Sequence, residues 1–404
     1  MKLLALTYGT EGDTRPLAAL CRGLMDAGHH ASLLGEASSL GSARSLDVPH
    51  AALSGDMRGA LEALVSEGKG VNATVSALSG IANVQAERWM GQAAEAAAGC
   101  DAILVSGLTA FVGFSVAERL GLPVIGAGMI PISPTREFPS PFLPAGRLPA
   151  GLNRASHHLV NWMLWASFRK SINRARKRVL GLGPRHRLWT GHPMLYGISP
   201  ALLPPPADWP GNTRLCGQWL VPAGSWTPPR ELQDFLDAGE PPVYLGFGSM
   251  TGFDREALLR TLLEALRGER VLFHPGWAGM PAGLALPDDF LVIGNTPHDW
   301  LLPRTSLAIH HGGSGTAHSA CRAGVPSVVL PFAGDQFFWA RQLARAGVAP
   351  APFPSRQPDA GAIRQAVRFA RSDEARSAAA ALADAMALEN GTAVAVAEIE
   401  ALLA

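Results

Sequence analysis

The stretch 308–342, AIHHGGSGTAHSACRAGVPSVVLPFAGDQFFWARQ, decides how the rest of the chain is read. A short apolar run ends in His310 and His311 and passes through Gly-Gly-Ser-Gly-Thr into a helix-like segment. A second apolar run then leads to Asp335-Gln336 and another helix. Strand, glycine turn, helix, strand is the repeating unit of a parallel sheet. Small residues let the backbone approach a ligand, and a helix N-terminus offers unpaired N–H groups at the positive end of its dipole. A diphosphate needs those features, and His310 stands at the strand end, placed to donate to a phosphate oxygen. A tight turn without a ligand is the plain alternative. Zinc is disfavoured, because neighbouring histidines on a strand point to opposite faces and no third ligand is spaced nearby. Asp335 and Gln336 suit hydroxyl groups, the acid accepting and the amide donating and accepting. The competing role for Asp335 is a helix N-cap.

The same unit recurs outward from this stretch. KLLALTY (2–8) is a buried strand followed by a loop with Gly9, Gly12 and Asp13. RPLAALCRGLMDAGH (15–29) sets Leu17, Leu20 and Leu24 on one helical face, with Gly28 suited to the helix end, and HASLLGE (30–36) is the next strand. AILVSG, LTAFVGFSVAERLG and LPVIGAG (102–128) repeat strand, helix, strand. The proline-rich segment 131–153 is excluded from helix and central strand, and a long loop in a compact chain is often functional. Strong helical character follows, with Trp162, Trp165 and Phe168 and then the basic residues Arg169, Lys170, Arg174, Arg176, Lys177 and Arg178. The three aromatics are either core or an acceptor surface, and the basic run is either a solvated face or a membrane contact. After a second proline-rich stretch, PPVYLGFGSM (241–250), RVLFHPG, FLVIGN and SLAIHH supply further strands. These patterns predict two doubly wound α/β halves: an N-terminal domain over 1–220, a C-terminal domain over 221–385, and a terminal helix over 386–404 that packs back across the join.

A chain of 404 residues with 48% hydrophobic residues is long enough for two cores. A net charge of +1 gives no global field for nucleic acid, so no nucleic-acid partner is expected. Cys21, Cys100, Cys216 and Cys321 lie far apart without metal spacing and read as buried thiols. The N-terminal apolar run is too short for a secretory signal, and no stretch approaches a membrane span. A cytoplasmic protein, with a peripheral contact to the inner membrane face as an option, is the expectation.

The segment TPHDWLLPR (296–304) followed by 310–340 resembles the donor-sugar signature of the GT-B fold glycosyltransferases that use nucleoside-diphosphate sugars. The likeness is to their sterol glucosyltransferase-like branch, related to bacterial antibiotic glycosyltransferases. TYGTEGDTRPLAALCRGLMDAGH (7–29) is similar to that branch's N-terminal Gly-Asp-x-x-Pro loop, and PPVYLGFGSM to the strand opening its second domain. The likeness runs over most of the chain with the motifs in family order. It implies a GT-B fold, two Rossmann-like domains facing a cleft, with the acceptor bound in the first and the donor in the second.

It also implies roles. Asp13 is the base, with Gly12 beside it. His310 and the turn Gly312, Gly313, Ser314, Gly315 and Thr316 hold the diphosphate, and Ser249 adds a contact from the facing turn. Thr296, Pro297 and His298 lie beside the nucleoside, and Asp335 and Gln336 bind sugar hydroxyls. Met129, Phe138 and Trp162 are the acceptor-side candidates. For Asp13 the residues alone leave two other roles open, a helix N-cap and a solvated loop acid. Plant relatives carry a histidine in the N-terminal loop that is missing here. They also have a tryptophan near the position of Asn295 and a glutamate at that of His318. The implied reaction is inverting transfer of a hexose from UDP-glucose to a lipophilic hydroxyl acceptor, without cofactor or metal. A non-catalytic nucleotide-sugar or lipid binder and a UDP-sugar epimerase are the alternatives.

Overall fold

Two parallel sheets organise the chain in this computed structural model. It describes all residues except 57–58, 60–70, 144–147, 221–225, 249–253, 277–278, 280–284 and 354–357, and all described side chains except those of 71–78 and 255. The first sheet holds β1 (Lys2–Leu6), β2 (His30–Glu36), β3 (His50–Leu53), β4 (Ala102–Val105), β5 (Val124–Gly128), β6 (Met194–Tyr196) and β7 (Thr213–Leu215). Their order is β3-β2-β1-β4-β5-β6-β7. The second holds β8 (Val243–Gly246), β9 (Val271–His274), β10 (Phe290–Val292), β11 (Leu307–His310) and β12 (Ser327–Val329), in the order β10-β9-β8-β11-β12. Strand order reverses at β1/β4 and at β8/β11. Ligands of open α/β sheets bind beyond the carboxyl ends of the strands at such points. Asp13 follows β1, and the 312–316 turn follows β11.

The helices are α1 (Glu11–Asp26), α2 (Gly41–Ser45), α3 (Val71–Ala96), α4 (Ala110–Leu120), α5 (Asn153–Leu180), α6 (Arg230–Asp237), α7 (Arg255–Ala265), α8 (His298–Leu301), α9 (Ser314–Arg322), α10 (Gln336–Arg345), α11 (Ala360–Ala370), α12 (Asp373–Ala387) and α13 (Gly391–Leu403). Both faces of the first sheet are covered, which is why its central strands read as unbroken apolar runs. In β1, Leu4 and Leu6 join Trp89, Trp165 and Phe168 on one face, while Leu3 and Ala5 join Leu17, Leu20 and Leu24 on the other.

Four elements carried no signal in the sequence. β6 and β7 have three residues each, too few to show a period. β3 exposes three of its four residues, and α3 is rich in Ala, Ser and Gly without a clear apolar stripe. The described part of the 131–149 segment has no regular element. Asp208 pins it, accepting from Thr135 Oγ1 at 2.6 Å and from the Arg136 amide at 3.0 Å. Trp165 and Phe168 are core residues, but Trp162 is 61% exposed. The boundary expected at 385/386 falls inside α12, and the chain turns over Leu388–Asn390 before α13.

α13 belongs to the core of the first domain. Ala395, Val396 and Ile399 pack with Leu17, Leu20 and Leu24 of α1. His29 Nε2 lies 2.8 Å from Glu400 Oε1, and Arg214 pairs with Glu398 at 3.3 Å. The crossing is tight: a Cβ on Gly391 would meet Gly217 backbone atoms at 2.4 Å.

Candidate active site

The glycine turn after β11 is shaped by contacts that only glycine permits. Gly312 has φ +86°, and a Cβ there would meet Val329 Cγ1 at 2.6 Å. The Gly312 amide donates to His310 Nδ1 at 3.1 Å. His310 is fully buried, and burial with neighbouring His311 and His298 pushes its imidazole down to about 3, so it is neutral at pH 7. Because Nδ1 accepts, the ring proton sits on Nε2. That Nε2 has no partner among the described residues. A buried donor left unpaired costs about 1–3 kcal/mol, and a phosphate oxygen would satisfy it.

Beside it, α9 starts from Gly313 with no side-chain cap. The amides of Ser314, Gly315 and Thr316 are therefore open to an anion. The turns after neighbouring strands close on this cradle. A Cβ on Gly248 would lie 3.1 Å from His311 Cε1, and one on Gly276 would meet Gly248 O. Ser249 lies outside the described residues. His298 Nε2 sits 3.3 Å from Tyr244 OH, and Pro297 precedes α8 as its N-cap. Thr296 Oγ1 donates to Gly294 O at 3.1 Å.

Asp335 is the N-cap residue of α10, but its carboxylate makes no cap bond. Instead Oδ2 accepts from Trp339 Nε1 at 2.8 Å. Burial raises its carboxyl to about 6, and the charge of Asp13 adds to the rise. The acids of the two domains thus sense each other across the cleft. Gln336 is buried, and its Oε1 accepts from the Phe332 and Ala333 amides at 2.7 and 3.1 Å. That oxygen holds the turn together.

Neither open alternative for Asp13 survives in its simple form. Thr10, not Asp13, is the N-cap of α1, and Asp13 is the third helical residue of a capping box. Asp13 Oδ2 accepts from the Thr10 amide at 2.9 Å, while the Gly12 amide donates to Thr10 Oγ1 at 3.2 Å. The carboxylate folds back so closely that a Cβ on Gly9 would lie 2.2 Å from Oδ2. Burial raises its carboxyl above the ordinary aspartate value, and the Thr10 bonds oppose the rise. The cap fixes Oδ2, which also takes the Thr10 hydroxyl at 3.3 Å.

The acceptor-side candidates differ in their surroundings. Phe138 is buried in a core shared by both halves, its ring 5.1 Å from that of Phe338, because the Phe138 carbonyl is anchored by His157. Trp162 is 61% exposed, while the inward face of α5 is taken by Trp165 and Phe168. Met129 is half-buried just past β5. His318 is turned away from the cradle. Its Nδ1 donates to Ser314 O at 2.8 Å, and its Nε2 accepts from the Ser199 amide of the first domain at 3.2 Å. Residues the motifs did not single out are His311, His274, Tyr244 and Trp339. The signal available for Trp339 was its i+4 spacing from Asp335.

A family model described as the C-terminal domain of erythromycin biosynthesis protein CIII-like proteins matches residues 269–402. A sterol 3-beta-glucosyltransferase of Arabidopsis thaliana is 33% identical over 98% of this chain and 67% of its own length. The chain belongs to the sterol glucosyltransferase family. A sterol 3-beta-glucosyltransferase of Aspergillus oryzae is also 33% identical, over 86% of this chain but 26% of its own length. This family member therefore spans about two thirds of the plant relative and a quarter of the fungal one. The solved glycosyltransferase of kitacinnamycin superposes with a TM-score of 0.69 at 19% identity, over 100% of this chain and 99% of that one. The spinosyn rhamnosyltransferase gives 0.66 at 21%, over 99% and 100%. At such identity these two show the fold, and it is GT-B.

Proposed function

We propose that this sterol glucosyltransferase family member moves a hexose from a nucleoside-diphosphate sugar, UDP-glucose by family, to a hydroxyl of a lipophilic acceptor. The observation that carries the reading is the buried His310 with its unpaired Nε2 donor. It stands beside an uncapped helix N-terminus, with Asp335 on one side of the cleft and Asp13 on the other. The acceptor oxygen forms its bond to the anomeric carbon from the face opposite the diphosphate and gives its proton to Asp13 Oδ1. The bond from the anomeric carbon to the β-phosphate oxygen breaks, and its electron pair stays on the diphosphate. Configuration inverts. His310 and the α9 amides stabilise the departing charge as fixed dipoles, while Asp335 accepts from sugar hydroxyls. Such a cradle does the work without a metal, and turnover is expected to survive EDTA; loss on chelation with recovery on adding Mg²⁺ overturns that point. The central test follows UDP release from UDP-glucose with and without a panel of sterol, lipid and aromatic alcohols. Release that needs an acceptor supports transfer, release without one points to hydrolysis, and no release with tight UDP binding points to a binding protein.

Peripheral contact with an anionic membrane surface on the cytoplasmic side belongs to the same proposal. On α5, Leu159, Trp162 and Met163 are more than half exposed, followed on that helix by exposed Arg169, Lys170 and Lys177. No described helix is long and apolar enough to cross a membrane.

A further inference from the structure

A helix usually opens on a residue with extended backbone whose side chain caps the first amides. Asp335 opens α10 with helical angles instead, φ −72° and ψ −8°, and its carboxylate makes no cap bond. It is held by a side chain one turn on: Trp339 Nε1 donates to Asp335 Oδ2 at 2.8 Å. A charged acceptor makes such a bond about twice as strong as a neutral one.

The indole is itself fixed. Trp339 is fully buried, whereas Asp335 keeps part of its surface exposed. The His318 ring meets the indole edge to face at 4.9 Å and 73°, and the Phe338 ring does so at 5.1 Å and 78°. Phe338 packs in turn on Phe138, and His318 accepts from the Ser199 amide, both of the first half. The indole thus belongs to the core that joins the halves, together with Tyr196 and Ile198. A buried indole N–H needs only a neutral acceptor, so the choice of a charged one, at a burial cost, fits a ring that serves the acid.

We propose that Trp339 is a positioning residue for donor-sugar recognition: its indole N–H holds the Asp335 carboxylate toward the hexose hydroxyls, and the joint between the halves holds the indole. The proposal rests on the glycosyl-transfer reading and adds to it that recognition of the sugar depends on a buried side chain that touches no substrate.

The test uses Trp339→Phe, which keeps a ring but removes the donor, and a benzothienylalanine at position 339, which keeps the shape of the indole with sulfur in place of N–H. Calorimetry is run with UDP and with UDP-glucose. Both variants are expected to bind UDP as the parent does and UDP-glucose about tenfold more weakly, the scale of one charged hydrogen bond. In an Asp335→Ala background Trp339→Phe should cost nothing more, because it acts through that acid. The pH profile adds a readout that packing alone does not move. The indole bond favours the charged carboxylate, so its loss raises the Asp335 carboxyl further, and the pH below which UDP-glucose affinity fades relative to UDP moves up. Parent-like UDP-glucose affinity in the benzothienyl variant, an equal loss for UDP, or a loss that persists without Asp335 overturns the proposal. Acceptor-dependent UDP release by the parent decides the glycosyl-transfer reading separately; if that reading fails, the binding comparison still decides Trp339.

Discussion

At the scale of single residues, the two cleft acids are strained in opposite senses to the usual surface carboxylate. Burial holds the Asp335 carboxyl at about 6 in the folded protein against 3.8 for the free side chain. The folded state therefore binds more protons than the unfolded state between those values, and stability falls as pH rises through that window. Asp335→Asn keeps an oxygen for the Trp339 indole and removes the buried charge. It should melt higher than the parent at pH 7, with the difference shrinking toward pH 4, while losing affinity for UDP-sugar but not for UDP. Melting curves at the two pH values, with calorimetry, check both halves; equal losses for UDP and UDP-sugar would reject the assignment to the sugar. Asp13→Asn also preserves the capping box, because its amide oxygen still accepts from the Thr10 amide. If Asp13 is the base, UDP binding stays normal and transfer to an aliphatic alcohol falls at least about 100-fold, with a smaller loss for a phenol. The parent's rate should fall as pH drops through the Asp13 value, which burial raises above 3.8. His310 and Asp335 were legible in the sequence from their places after apolar runs.

At the scale of elements, the strand-turn-helix around β11 and α9 was legible because glycine, histidine and an apolar run each restrict the backbone. Gly312→Ala is expected to cost about 1–3 kcal/mol, since a side chain at positive φ is strained and this one would also press on Val329. UDP binding should fall with it, as the α9 amides shift; chemical denaturation and UDP titration read the two effects. The long helix α5 was equally plain as a helix, but which of its aromatics lie inside was not. Trp162, Trp165 and Phe168 sit within two turns, and only the packing of α3 and α4 against α5 decides that Trp165 and Phe168 go in. Trp162→Ser with Met163→Ser should abolish sedimentation with vesicles containing anionic lipid, while transfer to a water-soluble acceptor is unchanged. Parent protein that ignores such vesicles, or a double variant that still sediments with them, would remove the membrane contact.

At the scale of the molecule, the halves are joined by more than the linker. His318 spans to the Ser199 amide, Ser199 Oγ donates to Glu389 Oε1 at 2.6 Å, and Phe138 meets Phe338. None of this was legible, because a histidine in a helix and a phenylalanine in a proline-rich loop look alike whether they face solvent or a second domain. His318→Ala leaves the buried Ser199 amide without its acceptor and should lower the melting temperature while UDP affinity holds. A change in UDP affinity as large as that from His310→Ala would instead put His318 at the nucleotide.

The return of α13 onto α1 has a consequence for how the protein is made. The leucine face of α1 leaves the ribosome long before Ile399, whose full burial there is worth about 1.5–3 kcal/mol, because the whole second sheet lies between them in sequence. The half that emerges earlier of the two is therefore the one finished later. Throughout translation of the second half, an uncovered apolar stripe waits on the first, the kind of surface that chaperones hold and that aggregates when they do not.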